Sequence, residues 1–163
     1  MNTYLILLTA VVAVYITAQI LRARRLIALG SQLSRATQPF VRSHGNVSLL
    51  ILGDSTAVGV GAERPVESVP GRLSELLDAS VESYARSGAV GSRIWDQFSR
   101  AQRDRYDLIL IQVGGNDIIK MRDLQTADRE LSTTLAMITG KSDRVVLLTA
   151  GRIGKAPFFP RFV

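Results

Sequence analysis

The stretch VSLLILGDSTAVGVGA, residues Val47 to Ala62, decides the fold predicted for this chain. Its first six residues are almost wholly apolar and run directly into Gly53, Asp54 and Ser55. A short apolar run bounded by turn residues is typical of a central strand in a parallel sheet covered by helices on both faces. Gly53 permits a sharp exit from such a strand, and ligands of open α/β sheets bind beyond the carboxyl ends of the strands. The sequence therefore predicts that Asp54 and Ser55 lie at the functional edge of the sheet.

Strand and helix patterns alternate through the rest of this region. Helices are predicted over residues 70–79, 92–104 and 123–139, where apolar residues recur at intervals of three or four. Strands are predicted at residues 80–85, 107–113 and 144–149. Alternation of this kind, with right-handed crossovers, predicts the α/β class and a three-layer α/β/α sandwich around a parallel sheet.

Three blocks of the sequence resemble those of the GDSL, or SGNH, hydrolases. They are GDSTAVGVGA at residues 53–62, YARSGAVGSRIWD at residues 84–96 and LIQVGGND at residues 110–117. Gly91 and Asn116 stand at the glycine and asparagine positions of the family, in the family's order along the chain. Each block follows a predicted strand, and on these residues the chain is identified as a member of the family.

The resemblance implies a flavodoxin-like strand order of 2-1-3-4-5 and the hydrolysis of an ester through an acyl-enzyme. It assigns Ser55 as the nucleophile, and the N–H of Ser55, the N–H of Gly91 and the side-chain amide of Asn116 as the oxyanion hole. Asp54 and Asp117 are expected to support the turns by hydrogen bonding. The implied substrate is a small-molecule or lipid-like ester, with no cofactor and no metal; acyl specificity and oligomeric state stay open.

The family's fourth block, Asp-x-x-His, has no counterpart in this sequence. The one histidine, His44, precedes the first strand, whereas Ser55 follows it. A seven-residue strand at about 3.3 Å per residue separates the two by roughly 20 Å, so His44 is not expected to be the general base. The sequence ends at Val163, after the fourth strand, so we expect the last strand and helix of the fold to be missing and the apolar fourth strand to form an open edge.

Three functional hypotheses follow from these blocks. The first is a membrane-anchored serine ester hydrolase whose base histidine is not in this sequence, and the second is an inactive, membrane-tethered binding or scaffold domain of the same fold. The third is a nucleotide-binding module, but Gly59 and Gly61 fit neither a P-loop nor a dinucleotide fingerprint. A metal site formed by Asp54, Asp117 and Asp123 is a further alternative, without precedent in the family.

Residues 4–21 form an apolar run that predicts a transmembrane helix. Eighteen residues at 1.5 Å each give about 27 Å of helix, close to the hydrocarbon thickness of about 30 Å. A cleaved signal peptide and a buried core helix are the alternatives. A signal peptide would have positive charge before the run and a good cleavage site after it, and a core helix would show a polar face; the sequence has none of these. The predicted domains are an anchor with a basic flank at 1–25, a linker at 26–46 and an incomplete hydrolase-like domain at 47–163. Because arginines follow the run at positions 22, 24 and 25, the positive-inside rule favours a cytoplasmic domain.

The net charge of +6 is concentrated in the amino-terminal segment. Residues 1–46 carry five arginines and no acidic residue, whereas residues 47–163 carry 15 basic and 14 acidic side chains. This nearly neutral domain argues against a nucleic-acid partner. The chain has no cysteine, which excludes disulfides and thiolate metal sites.

Overall fold

A computed structural model describes residues 3–151 of the chain, which divides into two compact units with a boundary at Leu33 and Ser34. Helix α1 (Thr3–Ala36) has 34 residues, and none of them is buried within the chain. At 1.5 Å per residue it is about 51 Å long. Within residues 3–151 it alone is long and apolar enough to cross a membrane, a property that signal sequences share.

Helix α1 continues well beyond the apolar run into the segment predicted as a linker. Residues 26–36 are rich in leucine, alanine, arginine and glutamine, which are good helix formers, and contain no proline. The helix ends at Ala36, shortly before Pro39, and residues 37–46 lead to the first strand without a further helix.

The second unit, Ser34–Gly151, is built on a four-stranded parallel sheet. Its strands are β1 (Val47–Gly53), β2 (Ala79–Ser83), β3 (Tyr106–Val113) and β4 (Ser142–Thr149). Their order is β2-β1-β3-β4, which confirms the predicted order for the strands described. Leu50 of the central strand β1 pairs with Glu82 of β2 on one side and with Ile109 of β3 on the other.

Five helices of this unit accompany the strands. They are α2 (Ser55–Val58), α3 (Val69–Leu77), α4 (Ile94–Phe98), α5 (Gly115–Ile119) and α6 (Leu124–Thr139). Two separate apolar cores flank the sheet: Leu49 and Ile51 lie in one, against α3, whereas Leu50 and Leu52 lie in the other, with α4 and α6. Residues 49–52 of β1 are apolar and buried on both faces of the sheet, and the predicted three-layer sandwich is confirmed.

The helix predicted at residues 92–104 is much shorter than expected. Residues Gly91–Arg93 form a 3₁₀ turn, and α4 ends at Phe98. Side chains from neighbouring elements then take the backbone donors that a longer helix would use, since Gln102 N–H bonds the Glu82 carboxylate and Arg103 N–H bonds the Tyr106 hydroxyl. Tertiary hydrogen bonds therefore override the helical pattern here, and they turn the chain toward β3.

Strand β4 is the edge strand of the described sheet on the side of β3. Its inner residues Val145 and Leu147 pack on the core shared with α6, whereas Val146 and Leu148 are exposed by 41% and 43%. The apolar edge predicted from the sequence is thus present within residues 3–151.

Candidate active site

The turn after β1 is fixed by Gly53. Its φ angle is 139°, and a Cβ at this position would lie 2.0 Å from the carbonyl oxygen of Gln112 in β3. The next residue, Asp54, donates its N–H to the same carbonyl oxygen at 2.9 Å. Only glycine can take this conformation so close to the neighbouring strand, and the chain therefore leaves the sheet sharply before Ser55.

Asp54 and Ser55 open helix α2 in different ways. The buried carboxylate of Asp54 accepts hydrogen bonds from the N–H and the hydroxyl of Thr56, at 2.9 and 2.8 Å, and so caps the helix. Ser55 is half-buried, and within residues 3–151 its hydroxyl and its N–H make no hydrogen bond. Among the described residues, the turn thus leaves this hydroxyl and this N–H without a partner at the carboxyl edge of the sheet.

The side chain of Gln97 forms hydrogen bonds with the backbone of this turn. Its Oε1 accepts from the N–H of Gly53 at 2.7 Å, and its Nε2 donates to the carbonyl oxygen of Gly53 at 2.9 Å. Gln97 lies on α4 and is 6% exposed. The sequence reasoning missed this residue, although a polar side chain three positions after the buried Ile94 was a usable signal.

The turn that follows β2 lies beside the end of β1. Arg86 N–H donates to the carbonyl oxygen of Gly53 at 3.0 Å, and Ala89 N–H closes the turn onto the carbonyl oxygen of Arg86 at 3.0 Å. The buried Gly91 follows and donates its N–H to Oδ2 of Asp117 at 3.0 Å. The resemblance had given this N–H to an oxyanion hole, whereas the described structure gives it a protein acceptor.

Asn116 joins the third block to the second. It lies on the short helix α5, and its Nδ2 donates to the carbonyl oxygen of Ala89 at 2.9 Å. An amide nitrogen carries two hydrogens, so one remains for another acceptor. The ends of β1, β2 and β3 therefore bring all three sequence blocks to one edge of the sheet.

Asp117 is part of a charged network that the sequence analysis did not predict. Its Oδ1 accepts from Nη1 of Arg122 at 2.8 Å, and Nη2 of the same arginine bonds Glu130 on α6 at 2.9 Å. Hydrogen bonds to Glu130 and to Asp117 raise the pKa of Arg122, so this guanidinium stays charged. The buried carboxylate of Asp117 is thereby paired, and it fixes the backbone at Gly91.

The other acidic residue considered as a metal ligand, Asp123, has a local role as well. Its carboxylate accepts from Thr126 N–H at 2.8 Å and caps α6, and this bonding lowers its pKa. Among residues 3–151 no three histidine or acidic side chains are grouped in a way that could hold a metal ion.

His44 is exposed and lies before β1, at the amino edge of the sheet. Ser55 lies past the other end of the same seven-residue strand. The structure therefore separates these two side chains as the sequence predicted, and His44 cannot act on Ser55.

A parallel sheet of this order between helical layers, with a Gly-Asp-Ser turn after its central strand, is the fold of the SGNH hydrolases. Residues 51–162 match the model of the GDSL-like Lipase/Acylhydrolase family, and the chain belongs to that family. The comparison with curated proteins gave no match.

Solved structures of similar fold include several esterases. The chain is similar to the SGNH-hydrolase family esterase AlinE4, with 24% identity and a TM-score of 0.54, over 62% of this chain and 57% of that one. It is also similar to the acetylxylan esterase Axe2 from Geobacillus stearothermophilus, with 19% identity and a TM-score of 0.53, over 72% and 67% of the two chains. A putative lipolytic protein of the G-D-S-L family from Desulfitobacterium hafniense DCB-2 matches at 17% identity and a TM-score of 0.52, over 64% and 58%. The match spans little more than half the length of AlinE4, and likenesses at this identity establish the fold.

Proposed function

We propose that the protein is a serine ester hydrolase anchored in a membrane, with Ser55 as the nucleophile. The observation that carries the proposal is the hydroxyl of Ser55, which makes no hydrogen bond within residues 3–151 and lies just after the Gly53 turn, at the edge where all three family blocks meet. Family membership supports an ester as the substrate class. The esterase names of similar structures agree with it.

In the proposed reaction the Ser55 oxygen attacks the carbonyl carbon of an ester while a base takes its proton. The alcohol then leaves with that proton, and water hydrolyses the acyl-enzyme. Negative charge develops on the carbonyl oxygen, and within the described residues the Ser55 N–H and the second amide hydrogen of Asn116 have no protein acceptor and can donate to it. The N–H of Gly91 becomes a third donor when its hydrogen bond to the carboxylate of Asp117 is broken or is shared with the substrate oxygen.

The one histidine of the sequence, His44, lies at the other edge of the sheet, so residues 3–151 place no histidine at Ser55. A serine without its base loses about 10⁴-fold in turnover or more. The proposed activity therefore requires a general base that the described residues do not supply.

The anchor proposal is supported by α1. Most of its apolar side chains are exposed, and the hydroxyls of Thr9 and Thr17 bond back to the carbonyl oxygens of Leu5 and Ala13, at 2.8 Å each. Polar groups satisfied inside a helix suit a lipid environment. The arginines that follow residue 21 favour a cytoplasmic domain by the positive-inside rule.

A fluorophosphonate probe applied to the whole protein in its native membrane tests the nucleophile. We expect covalent labelling that is lost in Ser55→Ala and kept in Ser132→Ala, a matched change of an exposed serine on α6. Absence of labelling in the folded protein would favour the second candidate, an inactive membrane-tethered binding domain. The distance of His44 from Ser55 and the engagement of Gly91 N–H by Asp117 are the observations on its side.

A further inference from the structure

A pocket of about 400 Å³ lies beyond the carboxyl end of β2 and is lined in part by the turn that carries Ala89. Three arginines and one aspartate line it, so the titratable groups around it carry a net charge of +2. The three guanidinium groups belong to Arg86, Arg93 and Arg100. Three cations around one pocket repel each other unless an anion lies among them.

The partners of these arginines leave room for such an anion. Arg93 pairs with Asp96 at 2.8 Å, and Arg100 lies over the ring of Tyr84, 5.2 Å from its centroid. Within residues 3–151 the guanidinium of Arg86 makes no hydrogen bond or ion pair. The pocket thus contains one unpaired guanidinium and one that is held only by an aromatic face.

The remaining groups around the pocket do not cancel this charge. Tyr84 is a lining residue, and burial raises its pKa above the ordinary value, so its hydroxyl stays neutral. Gln97 is neutral and directed at Gly53. Lys120 adds a further cation, because its Nζ donates to the carbonyl oxygen of Gly88 on the same turn at 2.8 Å.

The pocket and the proposed nucleophile share one piece of backbone. Arg86 N–H bonds the carbonyl oxygen of Gly53 at 3.0 Å, and Gly53 precedes Ser55 by two residues. Two residues of chain span at most about 7 Å, so the backbone of Arg86 lies on the order of 10 Å from Ser55. This separation is within the length of one small molecule.

We infer that this pocket, with Arg86 and Arg100 as its main donors, binds a phosphate group carried by the ester substrate. The planar guanidinium group of arginine can donate two parallel hydrogen bonds to the oxygen atoms of a phosphate. Such charge-assisted hydrogen bonds are stronger than those between neutral groups. The identification of the ligand as a substrate rests on the proposed esterase function, whereas the binding of phosphate does not depend on it. The phosphate can belong to a phospholipid or to a soluble phosphorylated ester.

Binding is tested first without turnover. In the full chain carrying Ser55→Ala, in a nonionic detergent, calorimetric titration with inorganic phosphate should show binding that weakens as salt is raised. We expect Arg86→Gln and Arg100→Gln to weaken it by about tenfold each. Arg105→Gln is the matched control, because Arg105 pairs with Asp143 at the amino edge of the sheet, and it should leave the affinity unchanged. No binding, or equal binding by all variants, would overturn the inference.

Two further ligands separate the possible sources of the phosphate. Short-chain dihexanoyl phosphatidylglycerol and glycerol 3-phosphate both carry the group, and tighter binding of the first would assign the pocket to phospholipids. Tighter binding of the second would assign it to soluble esters. Binding of either ligand should weaken in Arg86→Gln by the same factor of about ten, and an unchanged affinity in that variant counts against the pocket.

Turnover by the whole protein then separates this inference from the proposed function. For a phosphate-bearing ester and a neutral ester of the same acyl group, Arg86→Gln should lower the ratio of the two kcat/KM values about tenfold, and Arg105→Gln should not change it. If neither ester is hydrolysed and Ser55 is not labelled, the esterase proposal fails while the phosphate titration still decides the pocket. Hydrolysis with an unchanged ratio in Arg86→Gln would reject the pocket alone.

Discussion

The carboxamide of Gln97 satisfies both backbone groups of Gly53, its N–H at 2.7 Å and its carbonyl oxygen at 2.9 Å. This pairing is buried and joins residues 44 positions apart in sequence. It fixes the backbone two residues before Ser55, where an error of 1 Å can cost about 100-fold in rate. Gln97 is therefore a positioning residue for the proposed nucleophile.

We expect Gln97→Ala to destabilise the fold by about 1–3 kcal/mol, because two buried backbone groups lose their partner. Labelling of Ser55 by a fluorophosphonate should slow by more than the loss of folded protein explains. Gln125→Ala, at an exposed position on α6, is the control and should change neither property. Chemical denaturation and labelling rates measured side by side give the comparison, and an unchanged labelling rate in Gln97→Ala would contradict the positioning role.

The fold was predictable because its strongest signals are local. The apolar run of β1, the glycine that follows it and the helical spacing of residues 123–139 each depend on neighbours in sequence. The strand order came from the resemblance of three short blocks to a family. By contrast, α4 ends early because Glu82 and Tyr106 take backbone donors, and no local pattern records the bond from Gln102 to Glu82, which lies 20 positions away.

The supporting residues of the site were hidden for a similar reason. Arg122 and Glu130 read as ordinary exposed charges in the sequence, but they pair with each other and with Asp117 once α5 and α6 pack together. The bond from Gly91 N–H to Asp117 spans 26 positions. Side-chain partners at such separations are set by packing, which the sequence of one chain does not display.

Gly53 has no tolerance for a side chain. In Gly53→Ala the new Cβ would meet the backbone of Gln112 at 2.0 Å in a conformation with φ of 139°. The free energy of unfolding of the variant should fall by more than ~1 kcal/mol, and the domain should not fold normally. Circular dichroism and thermal unfolding provide the measurement.

Gly140→Ala is the matched control for Gly53→Ala. Gly140 ends α6 with φ of −70°, and a Cβ there meets nothing within 4 Å. This variant should be neutral or more stable by about 0.4–1 kcal/mol, because alanine reduces the entropy of the unfolded chain. Equal losses in both variants would show that the turn after β1 is not the constraint.

Asp117 controls the backbone N–H of Gly91. Asp117→Ala removes its acceptor and leaves a buried donor unpaired, at a cost of about 1–3 kcal/mol. Asp117→Asn keeps an acceptor oxygen but loses the ion pair with Arg122, so it should lie between the wild type and the alanine variant in thermal stability. Amide hydrogen exchange at Gly91 is the specific readout, and it should accelerate most in Asp117→Ala. Unchanged exchange in that variant would contradict the bond.

Helix α1 is expected to resist extraction from membranes by alkaline carbonate. Val12→Arg places a charge in the middle of the apolar run and should weaken insertion by about 2.5–3.5 kcal/mol, which would release the protein into the soluble fraction. Leu76→Arg is the control, since Leu76 is 80% exposed on α3 and lies outside the run. Release of the wild type, or a mature mass lacking the first 20 or so residues, would identify α1 as a signal sequence instead.

The carboxylate of Asp107 at the start of β3 accepts hydrogen bonds from the hydroxyl and the N–H of Ser48 on β1. These bonds lower the pKa of Asp107 below its ordinary value of 3.8. A depressed carboxylate pKa stabilises the folded state above the unfolded pKa, and this contribution is lost as the pH falls through the folded pKa. Ser48→Ala should therefore raise the pKa of Asp107 and destabilise the domain at pH 7. The difference in free energy of unfolding from the wild type should shrink as the pH falls below about 4.

NMR titration of the Asp107 carboxyl and urea unfolding at pH 7 and pH 3 measure both effects, with Ser132→Ala as the unaffected control. A stability difference that stays constant with pH would mean that the Ser48 bonds do not favour the ionised form.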